Sequence, residues 1–468
     1  MSAKVNANPQ KATNPPPQIS YRRIAAAWWP LAVSWLLMSA EGPAHSAVVA
    51  RLANPEINLA AWGGIVFPLS LIVEAPVVML LSASTALSKD WRSYAKLRRI
   101  AIVTGVIFTT LHGIVAFTPL YPWIARTIIG APEEIIEPGR IGLMIMTPWT
   151  LSIAYRRFQQ GAMIRFGHSK AVGIGTAVRL TANGLVLLIG YMLRQVPGIV
   201  VASSAVATGV IAEAIYAGLR IRPIARRQIR SAPKIETPFT FKHFLQFYIP
   251  LALTSLISFF ISPIGSASMS RMPRALGSLA AWPVVYGFIF VMRSFCLAYN
   301  EVTVALLDEP RSYRRLKQFA GFLGLASTLL IVIVAATPLA EIWMRDVMAL
   351  PVDLLPMATQ AVWLTVPFPL LAIVQSWFQG IIVNHRKTRA ITEAVALNLI
   401  TFVVLAGIGV MTEATAGLYV VILAQGIAGL VQGLWLWWRS RGVVERLEAR
   451  DAMNPAAGPI AEACAQEP

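Results

Sequence analysis

Ionisable side chains lie inside several long apolar runs of this chain. Glu41, Glu74, Arg179 and Arg293 each fall near the middle of a stretch long enough to cross a bilayer. Inserting such a group costs at least about 2.5–3.5 kcal/mol, so it has a partner or marks the path of a solute or an ion. These residues therefore indicate a membrane protein with a polar route through its interior.

The two arginines allow two interpretations. A guanidinium keeps its charge when dehydrated and offers a fork of donors that suits carboxylate or phosphate, so Arg179 and Arg293 would bind an anion. Asn183, one turn after Arg179, shares that helix face. In the alternative interpretation, both arginines form structural ion pairs with Glu41 and Glu74. The sequence leaves the two interpretations open.

Glu41 is the best candidate for binding a coupling ion, H⁺ or Na⁺. A buried carboxyl can alternate between charged and neutral states. Pro43 frees backbone carbonyls and permits a bend, and His45 lies on the same helix face as Glu41. For His45 itself, a neutral, hydrogen-bonded interior histidine is the simpler interpretation.

Glu74 and Arg156 complete the candidate substrate site with Arg179, Arg293 and Asn183. Glu74 precedes Pro76, which repeats the arrangement around Glu41. Its alternative is a salt bridge to Arg179 or Arg293. Arg156 lies in the inner half of its helix, where its long side chain would alternatively reach the headgroups.

The composition supports the membrane assignment. Of 468 residues, 56% are hydrophobic and only 13% are charged, whereas a soluble protein is about a quarter charged. We therefore expect lipid to surround most of the chain. The net charge of +18 does not indicate nucleic acid binding, because no basic patch interleaved with aromatics is present.

Motifs for catalysis and cofactors are missing from the sequence. It contains no GxxxxGK[ST] motif, no spacing typical of a metal site and no catalytic triad pattern. The two cysteines are far apart: Cys296 lies in an apolar run and Cys464 in the C-terminal tail, so they do not suggest a disulfide framework. We expect a protein that is not an enzyme, that has no cofactor and that is driven by a gradient.

Hydropathy predicts an all-α integral membrane protein with twelve transmembrane helices, since a bilayer core needs about 20 apolar residues per helix. Most of the 40 Lys and Arg residues fall in loops that share one side if the N-terminus is cytoplasmic. Both termini are therefore expected in the cytoplasm, in the cell (inner) membrane. The predicted spans are 26–50, 59–86, 99–119, 140–164, 171–193, 197–219, 244–270, 276–306, 318–338, 354–382, 390–411 and 415–438.

The chain repeats itself at a shift of about 220 residues. Leu59-Ala60-Ala61-Trp62 matches Leu279-Ala280-Ala281-Trp282, and Gln160-Gly161 matches Gln379-Gly380. Each half holds six predicted helices, an even number, so the halves are parallel repeats around a shared cleft. The predicted parts are a disordered cytoplasmic tail (1–22), an N-terminal bundle (23–222), a basic linker (223–240), a C-terminal bundle (241–442) and a cytoplasmic tail (443–468).

The repeat and several short stretches resemble the multidrug/oligosaccharidyl-lipid/polysaccharide (MOP) exporter superfamily, which includes the multidrug and toxic compound extrusion (MATE) transporters. Within it, the chain is most similar to the progressive ankylosis proteins. The matching stretches include Pro30-Leu31, Ala61-Trp62-Gly63, Phe247 to Leu253, Ile261 to Ile264 and Phe368-Pro369.

This resemblance implies a V-shaped bundle and export of small solutes by alternating access. For progressive ankylosis proteins the solutes are anions: pyrophosphate, nucleotides or citrate. We therefore expect a monomeric secondary transporter of small anionic metabolites. Two alternatives are an organic-cation antiporter driven by H⁺ or Na⁺ and a lipid-linked oligosaccharide flippase.

Overall fold

The computed structural model describes residues 19–234, 240–309, 311–385 and 389–452, and within these ranges the fold is built from helices alone. The predicted tails at 1–18 and 453–468, and linker residues 235–239, lie outside the described residues. The helix content confirms an all-α, multi-pass membrane fold. The outer and cytoplasmic sides of the bundle are those of the predicted topology.

Twelve long helices, numbered α1 to α12, follow one another along the described chain. They are α1 Tyr21–Val49, α2 Pro55–Leu87, α3 Trp91–Phe117, α4 Ile136–Arg165, α5 Ser169–Leu193, α6 Gly198–Ile229, α7 Phe241–Ser270, α8 Ala275–Leu306, α9 Ser312–Ala336, α10 Val352–Leu364 with Phe368–Asn384, α11 Arg389–Thr412 and α12 Gly417–Ala452.

Ten of these helices are long and apolar enough to cross a membrane, and α10 qualifies as an eleventh if its two parts, bent by 43°, are one span. Helix α4 is long enough, with 30 residues, but it carries several charged residues and is not apolar enough to qualify. The structure therefore supports ten or eleven of the twelve predicted spans, and the fourth span stays a prediction.

Several helices extend beyond their predicted ends. Helix α1 begins at Tyr21, inside the predicted tail. Helix α6 continues through the start of the predicted linker to Ile229, and α12 continues to Ala452. A span predicted from hydropathy ends where charged residues begin. The helix itself can continue into water as long as its backbone hydrogen bonds are made.

The two halves repeat each other in backbone detail. Asn54 and Arg274, before α2 and α8, both have a positive φ, and so do Arg194 and Glu413, before α6 and α12. The offset is 220 residues at the first pair and 219 at the second. Between these two pairs of positions, the first half therefore contains one residue more than the second half.

A π-helix in α2 accounts for the difference. Residues Trp62–Val66 are π-helical, whereas α8 is α-helical from Ala275 to Leu297. A π turn holds an additional residue, and α2 has 33 residues where α8 has 32. Both helices then break at equivalent places, Met79 and Ala298. Beyond the π-helix, positions in the two halves therefore correspond at an offset of 219.

The first helix of each half packs against the other half. The Trp28 indole in α1 donates to the Phe295 carbonyl of α8 over 2.9 Å. At the equivalent place, the Tyr248 hydroxyl in α7 donates to the Pro76 carbonyl of α2. Ile24 and Tyr248 are buried in apolar clusters formed mainly by the opposite half. The predicted bundles therefore exchange contacts through α1 and α7.

Helices α2 and α8 meet at the centre of the molecule. Gly63 faces Pro283 so closely that a Cβ atom on Gly63 would lie 2.7 Å from the proline ring. Any larger residue at this position would force the two helices apart. The missing side chain therefore sets how closely the halves approach.

Two arginines join the halves at the predicted outer side. Arg51, after α1, donates to the Asp346 carbonyl at 2.7 Å, in the π-helix Trp343–Val347. Arg271, after α7, donates to the carbonyls of Thr127 at 3.0 Å and Ile128 at 2.7 Å, in the π-helix Ile124–Ile129. Each arginine thus satisfies carbonyls at the end of a helix in the other half. We call this pair of contacts the arginine clamps.

We expect the double variant R51Q/R271Q to favour opening of the outer side. A charge-assisted hydrogen bond contributes about 1.5–3 kcal/mol, and about 1.4 kcal/mol corresponds to a tenfold change in an equilibrium. Spin labels on Glu134→Cys and Asp353→Cys, which are exposed and equivalent in the two halves, measure the outer distance. Both native cysteines are replaced by Ser.

The matched control is R345Q, because Arg345 is an outer arginine that pairs with Glu341 and Asp346 of its own half. It should leave the distance distribution unchanged. Equal distributions in all three proteins would show that the clamps do not hold the outer side closed.

Candidate functional site

Glu41 begins the second part of α1, immediately after a break in the helix at Ala40. Pro43 contributes to this break, because a prolyl nitrogen has no hydrogen to donate to the preceding turn. Arg179 Nη1 of α5 donates to Glu41 Oε2 at 2.5 Å, and Asn183 Nδ2 donates to Oε1 at 2.8 Å. Three predicted site residues therefore meet in one contact.

Glu213 of α6 holds a second part of the same network. Its side chain is buried and accepts from Arg156 Nη1 and Gln160 Nε2, both at 2.7 Å. Arg179 Nε lies 3.4 Å from the carboxylate that also binds Arg156. Glu213 therefore links α4 with α5 and α6.

The close approach of α5 and α6 depends on Gly209, one turn before Glu213. A Cβ atom on Gly209 would lie 2.9 Å from the Arg179 carbonyl oxygen. Any side chain here would move α6 away from α5. The glycine thus lets the carboxylate of Glu213 reach Arg179.

Glu74 of α2 is buried at the edge of this network. The guanidinium groups nearby are those of Arg156, Arg157 and Arg179. Among the described residues it has no hydrogen bond or ion pair within bonding distance. The salt bridge from Glu74 to Arg179 or Arg293 that the sequence allows is not formed.

His45 is buried beside the network, and one of its two ring nitrogens makes a hydrogen bond. Nδ1 donates to the Glu41 carbonyl at 2.6 Å, and the ring stacks on Trp62 with a centroid distance of 5.8 Å. Nε2 is buried without a hydrogen-bond partner among the described residues. The geometry fits a neutral imidazole with Nδ1 protonated, as the simpler interpretation of the sequence expects.

The N-terminal half thus contains a balanced set of charges, which we call the ionic network. It has three acids and three bases, so its formal charge is zero. Its members are Glu41, Glu74, Arg156, Arg157, Arg179 and Glu213.

Arg293 lies in a different place, in a small cavity of the C-terminal half with a volume of about 40 Å³. No Asp or Glu is among the lining residues, and Arg293 Nε has no hydrogen-bond partner among the described residues. The guanidinium lies 5.9 Å from the centroid of the Phe368 ring. Four amides complete the lining: Gln375, Asn398, Gln425 and Gln432.

The cavity and the ionic network occupy equivalent positions of the two halves. At the offset of 219, Gln375 takes the place of Arg156, Asn398 that of Arg179 and Gln432 that of Glu213. Neutral amides therefore replace the ion-paired residues. Arg293 takes the place of Glu74, which reverses the charge.

The structure brings together Glu41, His45, Arg179, Asn183, Arg156 and Glu74, and it separates Arg293 from them. Arg156 does not reach for the headgroups, because Glu213 binds it inside the bundle. Sequence reasoning missed the role of Glu213, which hydropathy placed near the end of a shorter helix. Its position opposite Gln432 in the repeat was the available signal.

Comparison with solved structures identifies the fold, whereas comparison with protein sequences finds no relative. No protein-family model and no curated protein sequence matches the chain. A multidrug resistance MATE family transporter of the MOP superfamily, in an inward-facing conformation, matches with a TM-score of 0.66 and 17% identity over 92% of this chain and 100% of that chain. The fold is that of the MATE transporters.

Two other solved structures share this fold. A MOP superfamily transporter from Pyrococcus furiosus, described by the reverse polarity of its binding pocket, has a TM-score of 0.58 at 16% identity, covering 91% of this chain and 97% of that chain. The lipid II flippase MurJ has a TM-score of 0.59 at 14% identity, covering 92% and 89%. At these identities the likeness concerns the fold alone.

We expect E213Q to destabilise the protein by about 3–5 kcal/mol, because it leaves the buried Arg156 without a carboxylate and removes one of the two carboxylates that Arg179 contacts. The measurement is the midpoint of thermal unfolding of the purified protein in detergent, followed by tryptophan fluorescence.

The matched control is E301Q, since Glu301 is an exposed glutamate and makes no ion pair with described residues. Its midpoint should equal that of the wild type. Equal midpoints for E213Q and E301Q would contradict a structural role of the ionic network.

Proposed function

We propose that the protein is a secondary transporter that exports small anionic metabolites by alternating access, with Arg293 as the principal anion-binding residue. The observation that carries this proposal is the uncompensated guanidinium in a cavity lined by amides. A buried cation without a counter-charge is costly, and a bound anion would offset that cost.

The ionic network explains why the proposed site lies in the C-terminal half. Arg179 and Arg156 are already bound by Glu41 and Glu213, so they have little capacity left for a substrate. The candidate substrate residues Arg179, Arg156, Asn183 and Glu74 therefore support the fold and the coupling reaction. Arg293 keeps its donors for a ligand.

Coupling is proposed to occur at Glu41 and His45, with H⁺ or Na⁺ as the ion. Glu41 lies at the break in α1, where it joins that helix to α5. A change in the charge of Glu41 would release Arg179 and loosen the contact between the two helices. No ATP-binding motif is present in the sequence, which supports transport driven by a gradient.

An organic-cation antiporter and a lipid-linked oligosaccharide flippase share the fold, so the fold does not distinguish them. A cation site requires an unpaired carboxylate. Glu41 and Glu213 are bound by arginines, and Glu74, which forms no ion pair, is buried near three arginines whose positive charge disfavours a further cation. This favours an anion over a cation. The resemblance to progressive ankylosis proteins makes pyrophosphate, nucleotides and citrate the first anions to test.

The proposal places the protein as a monomer in the cell (inner) membrane, with both termini in the cytoplasm. The excess of Lys and Arg in alternate loops supports this orientation. In this orientation, the proposed export moves solutes from the cytoplasm to the outside of the cell.

We expect reconstituted protein to release labelled anions from liposomes, and R293Q to reduce the rate at least tenfold. Loss of one charge-assisted contact with a buried anion costs about 1.5–3 kcal/mol, which is more than tenfold in affinity. The assay measures release of labelled gluconate, citrate, pyrophosphate and ATP beside a cationic dye and a fluorescent lipid.

The matched control R345Q changes an exposed arginine that pairs with Glu341, and it should transport at the wild-type rate. Release of the dye or flipping of the lipid, without release of any anion, would contradict the proposal. An unchanged rate in R293Q would contradict the role of Arg293.

A further inference from the structure

We infer that the substrate carries a single net negative charge, on a carboxylate, together with hydroxyl groups. This inference rests on the proposed function and narrows its substrate class to small hydroxylated monocarboxylates, such as sugar acids. Pyrophosphate, nucleotides and citrate carry more charge than the site compensates.

Charge balance is the first argument. Within the apolar interior, the ionic network of the N-terminal half has a formal charge of zero, and Arg293 supplies a single positive charge in the C-terminal half. Among the acids on α8, α10, α11 and α12, Glu301 is exposed two turns after Arg293, Glu393 pairs with Arg439 and Arg389 near the predicted cytoplasmic side, and the others lie at helix ends. A monoanion leaves this region neutral.

A polyanion would leave buried charge. Pyrophosphate, ATP and citrate each carry at least two charges near neutral pH, so at least one charge would remain without a counter-charge in a low-dielectric site. Each such charge costs several kcal/mol. A phosphate monoester, at about −1.5 to −2, meets the same difficulty.

The amides supply the second argument. Asn398, Gln425 and Gln432 line the cavity and make no hydrogen bond with another described residue. An amide offers an acceptor oxygen as well as two donor hydrogens. A phosphate or carboxylate oxygen can only accept, so it leaves the amide oxygens unsatisfied, whereas a hydroxyl both donates and accepts.

The apolar part of the lining is the third argument. Phe368 and Leu371 provide an apolar wall beside the polar groups. The lining therefore offers Arg293 to a carboxylate, amides to hydroxyls and an apolar face to the carbon chain of one small molecule.

The test uses the full chain in liposomes with labelled gluconate, a polyhydroxy monocarboxylate, as the probe. Unlabelled lactate, citrate, pyrophosphate, ATP and sorbitol, a neutral polyol, serve as competitors. We expect gluconate to be transported and lactate to compete. Citrate, pyrophosphate, ATP and sorbitol should compete at least tenfold more weakly than unlabelled gluconate.

Two variants test the geometry. R293Q removes the positive charge, and Q432E places a carboxylate at the cavity, as Glu213 is placed in the other half. Each should reduce gluconate transport at least tenfold. Q379E is the matched control, because Gln379 lies on α10 beside Gln375 in sequence but does not line the cavity. It should transport normally, and thermal unfolding checks that all three variants fold.

The outcomes separate the inference from the proposed function. Transport of citrate, pyrophosphate or ATP as well as or better than gluconate overturns the single-charge inference and leaves the anion transporter in place. Absence of transport for every anion overturns both. Full activity of Q432E, in a folded protein, overturns the assignment of this cavity.

Discussion

The cost of an unpaired charge in a low-dielectric interior is the constraint on which this structure depends. In the N-terminal half, every buried arginine is close to a carboxylate, and Glu213 contacts two arginines at once. These pairs connect α4, α5 and α6, which follow one another in the sequence, with α1, which is far from them. The same constraint makes Arg293 informative, because the described chain supplies no carboxylate to its cavity.

The internal repeat shows how one architecture serves two purposes. Equivalent positions carry Arg156, Arg179 and Glu213 in one half and Gln375, Asn398 and Gln432 in the other. The charged set fills its space with ion pairs, whereas the amide set leaves a cavity. An exchange of a few side chains on an unchanged backbone thus separates a structural network from a candidate binding site, as expected when function depends on sites rather than folds.

Much of the fold was predictable from the sequence, because hydropathy, loop charges and the repeat report on the membrane and on the duplicated backbone. The helix of Arg156 and Arg157 is not apolar enough to be recognised as a span because it carries several charges, although Arg156 is paired inside the bundle rather than exposed to lipid. The site was only partly predictable. Helical spacing placed Asn183 beside Arg179, but no local pattern reveals that Glu41 meets them across 138 residues.

The repeat also held information that hydropathy could not give. The equivalence of Glu74 with Arg293 requires the correct offset, and the offset changes within α2. A sequence comparison alone cannot decide where the additional residue lies, because Ala, Leu and Val match one another easily. The position of the π-helix decides it, and only a backbone shows that.

The π-helix Trp62–Val66 has a further consequence for the phase of α2. An additional residue in an α-helix rotates everything beyond it by about 100°, as 3.6 residues complete a turn. Such a rotation would turn Glu74 away from the arginines. By widening a single turn, the π-helix takes up the residue locally and keeps the remainder of α2 in angular register with α8. The two halves can therefore differ in length while their polar side chains still face the same direction.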